Sequence, residues 1–328
     1  MFLLLLLPTL IVALPTNEAP TEAVSQWQSY VAAHQKVYDS PDDEEKRFAI
    51  FQENVKSIAQ LNEEHGPGAY VVNEFADLTD EEFQQTYLTY NLTMPGEYLN
   101  EAANEEPTEA ANLPASVNLS KKFQMNIKNQ GHCGSCYAFA TIGAVEVYYQ
   151  KSFNRAVDLS EQQILDCSQQ RGCRGGIIPY ALKYMANGVE PTSSYGSYRG
   201  AQGQCHHNQA RSVVSVKSVQ RIKNNAVITS NDEIMAHLAN VGPLVIGYDA
   251  FTEKNYQFIG SKVLTTCTRN VNNHGVLLVG YGSEGGVDYW IIKNSWGTTW
   301  GEGGYGKIIR NRDYDACGVW LQPFYPTL

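Results

Sequence analysis

Past its first fourteen residues, this 328-residue chain has no apolar run long enough to cross a bilayer. No membrane partner is therefore expected for the rest of it. It has no long basic run either, so no nucleic-acid partner is expected. There is no internal repeat, which argues against solenoids and propellers. There is no cysteine before residue 133. No Lys or Arg precedes the opening apolar stretch, where only the α-amine supplies positive charge. That stretch, Phe2–Leu14, is interrupted only by Pro8 and Thr9 and is too short to span a membrane. A buried N-terminal strand is one reading of it. The preferred reading is a secretory signal peptide over residues 1–15, cut somewhere between Ala13 and Ala19. Such a chain enters an oxidising compartment, where disulfides persist, and is secreted or lysosomal.

The net charge of −10 is unevenly spread. Residues 15–112 carry 20 Asp and Glu against four Lys and Arg; residues 113–328 carry 14 against 20. All seven cysteines lie in the second part. An acidic, cysteine-free segment thus precedes a basic one that bears the cysteines, and their opposite charge favours association.

Within DDEEKRFAIFQENVKSIAQLN, Arg47, Phe51, Asn54, Ile58 and Asn62 recur at spacings of four, three, four and four, on one helix face. An amphipathic helix needs an apolar stripe but no polar residues on that same stripe. AYVVNEFADLTDEEF suggests a short strand and then a helix opening at Thr79 or Asp80. Residues 88–112 are polar, acidic and turn-prone, a linker suited to proteolytic nicking. Further on, a helix is expected from about Ser135 to Lys151. Ser160-x-x-Gln163 and Ser230-x-x-Glu233 are helix-opening patterns, and Tyr180–Asn187 should be helical up to Gly188. Strands are expected at Leu244–Tyr248, Gly275–Tyr281, Tyr289–Lys293 and Tyr305–Ile309, between Gly-rich turns. Helices followed by strands indicate an α+β class with two subdomains. GEGGYG at 301–306 matches a dinucleotide-binding pattern but is followed by strand-like KII rather than a helix, which excludes that reading.

NQGHCGSCYAFA at 129–140 carries a C-x-x-C, which fits a metal clip, a redox pair, or one working thiol beside one structural thiol. A zinc clip needs a second ligand pair at comparable spacing, and Cys167 and Cys173 are too far apart to supply it. No metal or other cofactor is therefore expected. A thioredoxin-like pair needs a βαβ context, which does not precede Cys133. The third reading places Cys136 at a helix N-terminus, where the dipole and free N–H groups lower a thiol's pKa. A base must stand beside it, itself oriented by a third group. Of His34, His65, His132, His206, His207, His237 and His274, only His274 sits at a strand entry, NNHGVLLVGYG, with an amide-bearing stretch after it.

NQGHCGSCYAFA, NNHGVLLVGYG and YWIIKNSWGTTWGEGGYGKI together resemble, in order, the cysteine, histidine and asparagine boxes of papain-like cysteine proteases. The resemblance implies a papain-like fold, with a helical subdomain over about 113–222 and a barrel-like β subdomain over about 223–328. It implies a Cys136 nucleophile, a His274 base, an Asn294 that orients the imidazole, and Gln130 in the oxyanion hole with the Cys136 N–H. Trp296 and Trp300 would shield the histidine–asparagine contact. Sequence alone allows 15 pairings of six cysteines; the resemblance implies Cys133–Cys173, Cys167–Cys205 and Cys267–Cys317. It makes residues 16–112 an inhibitory propeptide of the cathepsin L-like kind, with Asn73, Phe75 and Asp77 in its second motif, and 113–328 the catalytic domain. Low pH is expected to release the propeptide by neutralising its carboxylates. The partners implied are protein and peptide substrates, the chain's own propeptide and cystatin-type inhibitors.

Two departures from the family pattern stand out: Tyr137 in place of the usual Trp, and Asn118-Leu119-Ser120 in place of Asp-Trp-Arg. DLSEQQILDCSQQRGCRGGIIPYALKYMANGV also resembles the mite group 1 digestive proteases, an allergen group. By the same resemblance Ile177, Ile178, Gly247, Asn272 and Gln322 line the P2 pocket, which suits aliphatic or aromatic side chains. No occluding-loop insertion is apparent, which favours an endopeptidase. Asn91 and Asn118 open glycosylation sequons. Two alternatives remain: a secreted non-catalytic protein that retains the scaffold, and a disulfide oxidoreductase using Cys133 and Cys136.

Overall fold

The computed structural model describes residues 21–88, 112–222, 229–250, 256–265, 272–311, 315, 317–321 and 323–328. The opening stretch 1–15, Asn91, Cys267 and Gln322 lie outside the described residues, as does most of the linker.

The leading segment folds as three helices: α1 (Thr21–Ala33), α2 (Pro41–His65) and α3 (Asp80–Tyr87). Ser40 caps α2 by accepting from the Asp43 N–H, and Pro41 opens it where no N–H is needed. Asp42, Asp43 and Glu44 sit at its positive end. Phe51 and Ile58 on the inner face are buried. The polar residues on that face hold the returning chain. Arg47 reaches the Asp77 carbonyl and Glu82, Asn54 Nδ2 donates to the carbonyls of Ala76 and Leu78, and Asn62 pairs with both backbone groups of Tyr70. The stripe is mixed because half of it packs and half satisfies irregular backbone. The strand expected near residues 70–75 is reduced to a single bridge, Tyr70 to Ile259. Asn62 has taken Tyr70, and the Asn73 side chain turns the chain by accepting from the Phe75 N–H. Thr79 and Glu82 form a reciprocal capping box on α3.

In the second part, α4 (Cys136–Phe153) is buried from Cys136 through Tyr149, as suits a central helix. Around it lie α5 (Glu161–Cys167), capped by Ser160, α6 (Ile178–Tyr184) and α7 (Thr192–Tyr195). The helix expected over 180–187 starts at Ile178 and tightens to a 3₁₀ turn at Met185–Asn187; Gly188 stops it at φ 99°. α8 (Asn231–Asn240) opens on the Ser230–Glu233 capping box.

An eight-stranded sheet completes the fold: β1 (Val117–Asn118), β2 (Ser218–Arg221), β3 (Leu244–Tyr248), β4 (Val263–Leu264), β5 (His274–Glu284), β6 (Val287–Lys293), β7 (Tyr305–Ile309) and β8 (Phe324–Thr327). The order is β2-β8-β3-β5-β6-β7-β4, with β1 on β5; every pairing is antiparallel except β4 with β7. β5 and β6 are joined by Gly285 and Gly286, at φ 57° and 83°, the left-handed pair a two-residue hairpin loop requires. Disulfides join Cys133 to Cys173 and Cys167 to Cys205. Cys317 is also disulfide-bonded, and Cys136 is a free thiol.

Candidate active site

Cys136 is the first residue of α4 and His274 the first of β5. They are 138 positions apart in sequence, and the packing of α4 on β5 brings them to one place. Gly275 lies against the start of α4. A Cβ there would lie 3.6 Å from the Tyr137 nitrogen and 3.7 Å from the Cys136 carbonyl carbon, so the strand lies directly against the helix start. The β5–β6 register, with Leu277 opposite Lys293, carries Asn294 to the same end of the hairpin as His274.

His274 Nε2 lies 2.8 Å from Asn294 Oδ1. The Ser295 N–H donates to that same oxygen at 2.8 Å, which fixes the amide's orientation. An amide oxygen only accepts, so Nε2 carries the proton, and Nδ1 is left as a bare base. Among the described residues Nδ1 makes no hydrogen bond of normal length, although the Tyr87 carbonyl is close enough to favour the charged ring. The Trp296 ring stacks on the imidazole at 4.5 Å, and Trp300 meets Trp296 edge-on at 5.3 Å. All three rings are buried.

The loop before Cys136 is held at several points. Its cross-links are the Cys133–Cys173 disulfide, the Gly134 N–H on the Cys173 carbonyl, and the Gln130 N–H on the Ser295 carbonyl. The Gln130 side chain is fully buried. Its Oε1 accepts from Ser295 Oγ at 2.7 Å, and its Nε2 donates to the Cys133 carbonyl at 2.8 Å, which leaves a second N–H on that nitrogen. Tyr198 OH donates to the Gln130 carbonyl. Sequence reasoning passed over Ser295 and Tyr198. Ser295 is adjacent to Asn294 and was within reach of inspection; Tyr198 is 68 residues from Gln130, and nothing local signals it.

The expected low-pKa thiol is not what this covered site holds. Burial pushes the Cys136 thiol up to about 11, outweighing the backbone N–H groups of Gly275, Tyr137 and Cys136 that favour the thiolate. Burial likewise lowers His274 to about 4, against the opposing pull of Asn294 and the Tyr87 carbonyl. With Cys136 and His274 both neutral at pH 7, the pair is latent.

The cover is the leading segment. Phe75, Phe83 and Tyr87 all meet Trp296 edge-on, with centroids at 5.7, 5.1 and 6.4 Å. Backbone bonds join Val71 to Phe258 and Gly260 to Ala69, and Asn73 Nδ2 donates to the Gln257 carbonyl. Asn129 Nδ2 donates to the Glu74 carboxylate, and Tyr87 OH bonds His132 Nδ1. Among the described residues, ion pairs run within the leading segment or within the later part, and contacts between the two are hydrogen bonds, ring packing and the Lys262 ammonium over the Tyr70 ring.

Of the residues expected to line a pocket, three converge. Asn272 Nδ2 donates to the Gly247 carbonyl, Gly247 pairs with Gly275, and the Ile178 side chain approaches Gly275. Ile177 is adjacent and half-buried, its N–H held by Gln170. Asn118 Oδ1 accepts from both the backbone and the hydroxyl of Ser120.

A helix-borne thiol, an imidazole, an amide that orients it and a spare amide N–H are the groups that cysteine peptidase chemistry requires. The family model for papain family cysteine proteases matches residues 113–327, and that for the cathepsin propeptide inhibitor domain (I29) matches residues 27–83. The chain belongs to the papain family of cysteine proteases, in its cathepsin L-like branch. It is 37% identical over 321 residues to a cathepsin L-like peptidase of Aedes aegypti, covering 92% of this chain and 93% of that one. Digestive procathepsin L 3 from the larval midgut of Tenebrio molitor superposes with a TM-score of 0.79 at 31% identity, covering 93% and 99%. A structure from work on the mite allergens Blo t 1 and Der p 1 superposes with a TM-score of 0.76 at 30% identity, covering 92% and 98%. The protein is a cysteine endopeptidase made as a zymogen, with its propeptide as intramolecular inhibitor and peptides as substrates.

Proposed function

We propose that hydrolysis runs through Cys136 and His274 once the segment ahead of about residue 113 is removed. Uncovering the site returns water to both groups, which favours transfer of the Cys136 proton to Nδ1 and formation of a thiolate–imidazolium pair. The thiolate attacks the scissile carbonyl. The resulting oxyanion is met by the Cys136 N–H and the spare Gln130 N–H, each such donor worth roughly 2.7–4 kcal/mol. The imidazolium protonates the departing amine, and water then attacks the thioester with His274 as base. Asn294 orients the ring without adding charge, and Trp296 and Trp300 keep water from that contact. The observation that carries this reading is the Nε2–Oδ1 bond of 2.8 Å, which leaves Nδ1 bare at the strand end that abuts Cys136.

The remaining assignments rest on the same reading. Residues 1–15 are the signal peptide, 16–112 the propeptide and 113–328 the catalytic domain, divided near 222. The protein is secreted or lysosomal, cystatin-type inhibitors bind it, and Asn91 and Asn118 are glycan sites. Ile177, Ile178, Gly247, Asn272 and Gln322 form a P2 pocket for aliphatic or aromatic side chains. The test is to mature the zymogen in acid, treat it with an epoxide thiol inhibitor and map the adduct by mass spectrometry. One adduct, on Cys136, with peptidase activity lost in parallel is the expected result. An adduct on another residue, or a matured chain that cuts no peptide, would overturn the assignment.

A further inference from the structure

The contact between Tyr87 and His132 points beyond inhibition. Tyr87 closes α3, and its ring is buried while lying edge-on to Trp296. Its hydroxyl sits 3.2 Å from His132 Nδ1, with the two rings 5.9 Å apart. His132 stands two residues after Gln130 and one before the Cys133 bridge, in the loop pinned by that disulfide and by Ser295. Even with the leading segment in place it is only partly buried at the cleft rim. Catalysis as described above does not use it.

The chemistry fixes which side of the cut this is. His274 must deliver its proton to the departing amine, so substrate residues beyond the scissile bond leave past the imidazole. Trp296 stacks on that imidazole. Tyr87, which touches Trp296 and reaches His132, therefore occupies ground that a leaving-group side chain crosses. When the leading segment departs, it takes Phe75, Phe83 and Tyr87 off the indole. That leaves an apolar ring face with one polar nitrogen at the distance of a para-hydroxyl.

We infer that His132 is a specificity-determining residue for the leaving-group side of the substrate, selecting tyrosine over phenylalanine by bonding the phenolic hydroxyl as it now bonds that of Tyr87. The bond does not depend on the imidazole's charge. Neutral Nδ1 accepts from the phenol, and protonated Nδ1 donates to it. The body of the side chain rests on Trp296 in either case. Phenylalanine keeps that packing and forgoes the hydrogen bond, so the discrimination should equal one net hydrogen bond, about three- to tenfold. This rests on Cys136 and His274 as the cutting pair.

The experiment uses matured full catalytic chain, with active sites counted by epoxide titration, and fluorogenic peptides identical except for Tyr or Phe at the first or second position after the scissile bond. Wild type should cut the Tyr peptide at one of those positions with a kcat/KM about three- to tenfold above its Phe partner. In His132→Ala and His132→Leu that ratio should fall to about one, whatever the absolute rate, while His132→Gln, which keeps a donor and an acceptor, should retain most of it. If wild type cuts both peptides equally at both positions, or the preference survives in His132→Leu, the inference fails while the peptidase assignment stands. If wild type cuts neither peptide, both fall.

Discussion

His274 and Asn294 share a 2.8 Å hydrogen bond whose direction is dictated by a third group, the Ser295 N–H on the same Asn294 oxygen. The bond holds the imidazole in one tautomer. Replacing Asn294 with Ala should free the ring to rotate and exchange tautomers, lowering kcat about 100-fold with little change in KM. Steady-state kinetics on titrated enzyme measures this. A raised KM with kcat unchanged would mean that Asn294 binds substrate instead.

Gly260 separates inhibition from catalysis. A Cβ there would collide with the Gly68 carbonyl oxygen in the leading segment, while its nearest other neighbours, Val71 and Ala69, belong to that segment too. Gly260→Ala should weaken propeptide docking, so that the zymogen matures at a higher pH than wild type. The kcat/KM of the matured enzyme should stay within about twofold. Gel analysis of maturation across pH, alongside peptide assays, reads both effects.

Acid activation follows from burial. His34, His132 and His274 all hold a proton less tightly than an ordinary imidazole, each chiefly because burial penalises the cation. The released state therefore binds more protons than the covered one below pH 6.5, and the covered state loses stability as pH falls from there. His274, lowered to about 4 by burial, adds little, because in the released pair its proton comes from Cys136 and the pair's proton count is unchanged. Glu82 adds to this. Burial raises it, but the Arg47 guanidinium and the Thr79 N–H prevail and hold it below the usual carboxylate range, so its support of the leading segment is lost as pH falls through that lowered value. Glu74, raised by burial, works the other way. Maturation should accelerate below about pH 6.5. High salt at pH 7 should not release the segment, because its contacts are hydrogen bonds and rings rather than exposed ion pairs. Release by 1 M salt at pH 7 would restore the charge-neutralisation account.

Gly176 tests the Tyr137 substitution. A Cβ at Gly176 would approach two Tyr137 ring carbons to 2.8 Å, and the ring is buried with no room to swing away. Gly176→Ala should cost about 1–3 kcal/mol of stability and, by shifting the residue next to Cys136, lower kcat. Thermal unfolding and kinetics on the same preparation check the two together.

The sequence displayed what chemistry writes locally. Capping pairs such as Ser230 with Glu233 and Ser160 with Gln163 were readable because both partners lie within one turn. The nucleophile, base and amide were readable because each sits in a dense local pattern. What depended on distant partners was not. The thiol at a helix start reads as acidic until Phe75, Phe83 and Tyr87, some 50–60 residues upstream, shut out water. The polar members of the α2 stripe had no visible purpose until the chain at 70–82 lay across them. β1 went unseen because its two residues form a strand only by pairing with Gly280 and Tyr281.

That short β1 strand also sets a limit on trimming. Val117 and Asn118 are paired to the strand that begins at His274, and Tyr281 OH holds the Pro114 carbonyl at 2.9 Å. Gly280 lets this happen, because any side chain there would strike the Val117 carbonyl oxygen. An aminopeptidase or a sister molecule shortening the freed end therefore meets a backstop at Pro114. Beyond it, each further residue removed must first be peeled off the edge of the strand that begins at His274, so wherever the first nick falls, ragged ends should converge on one length.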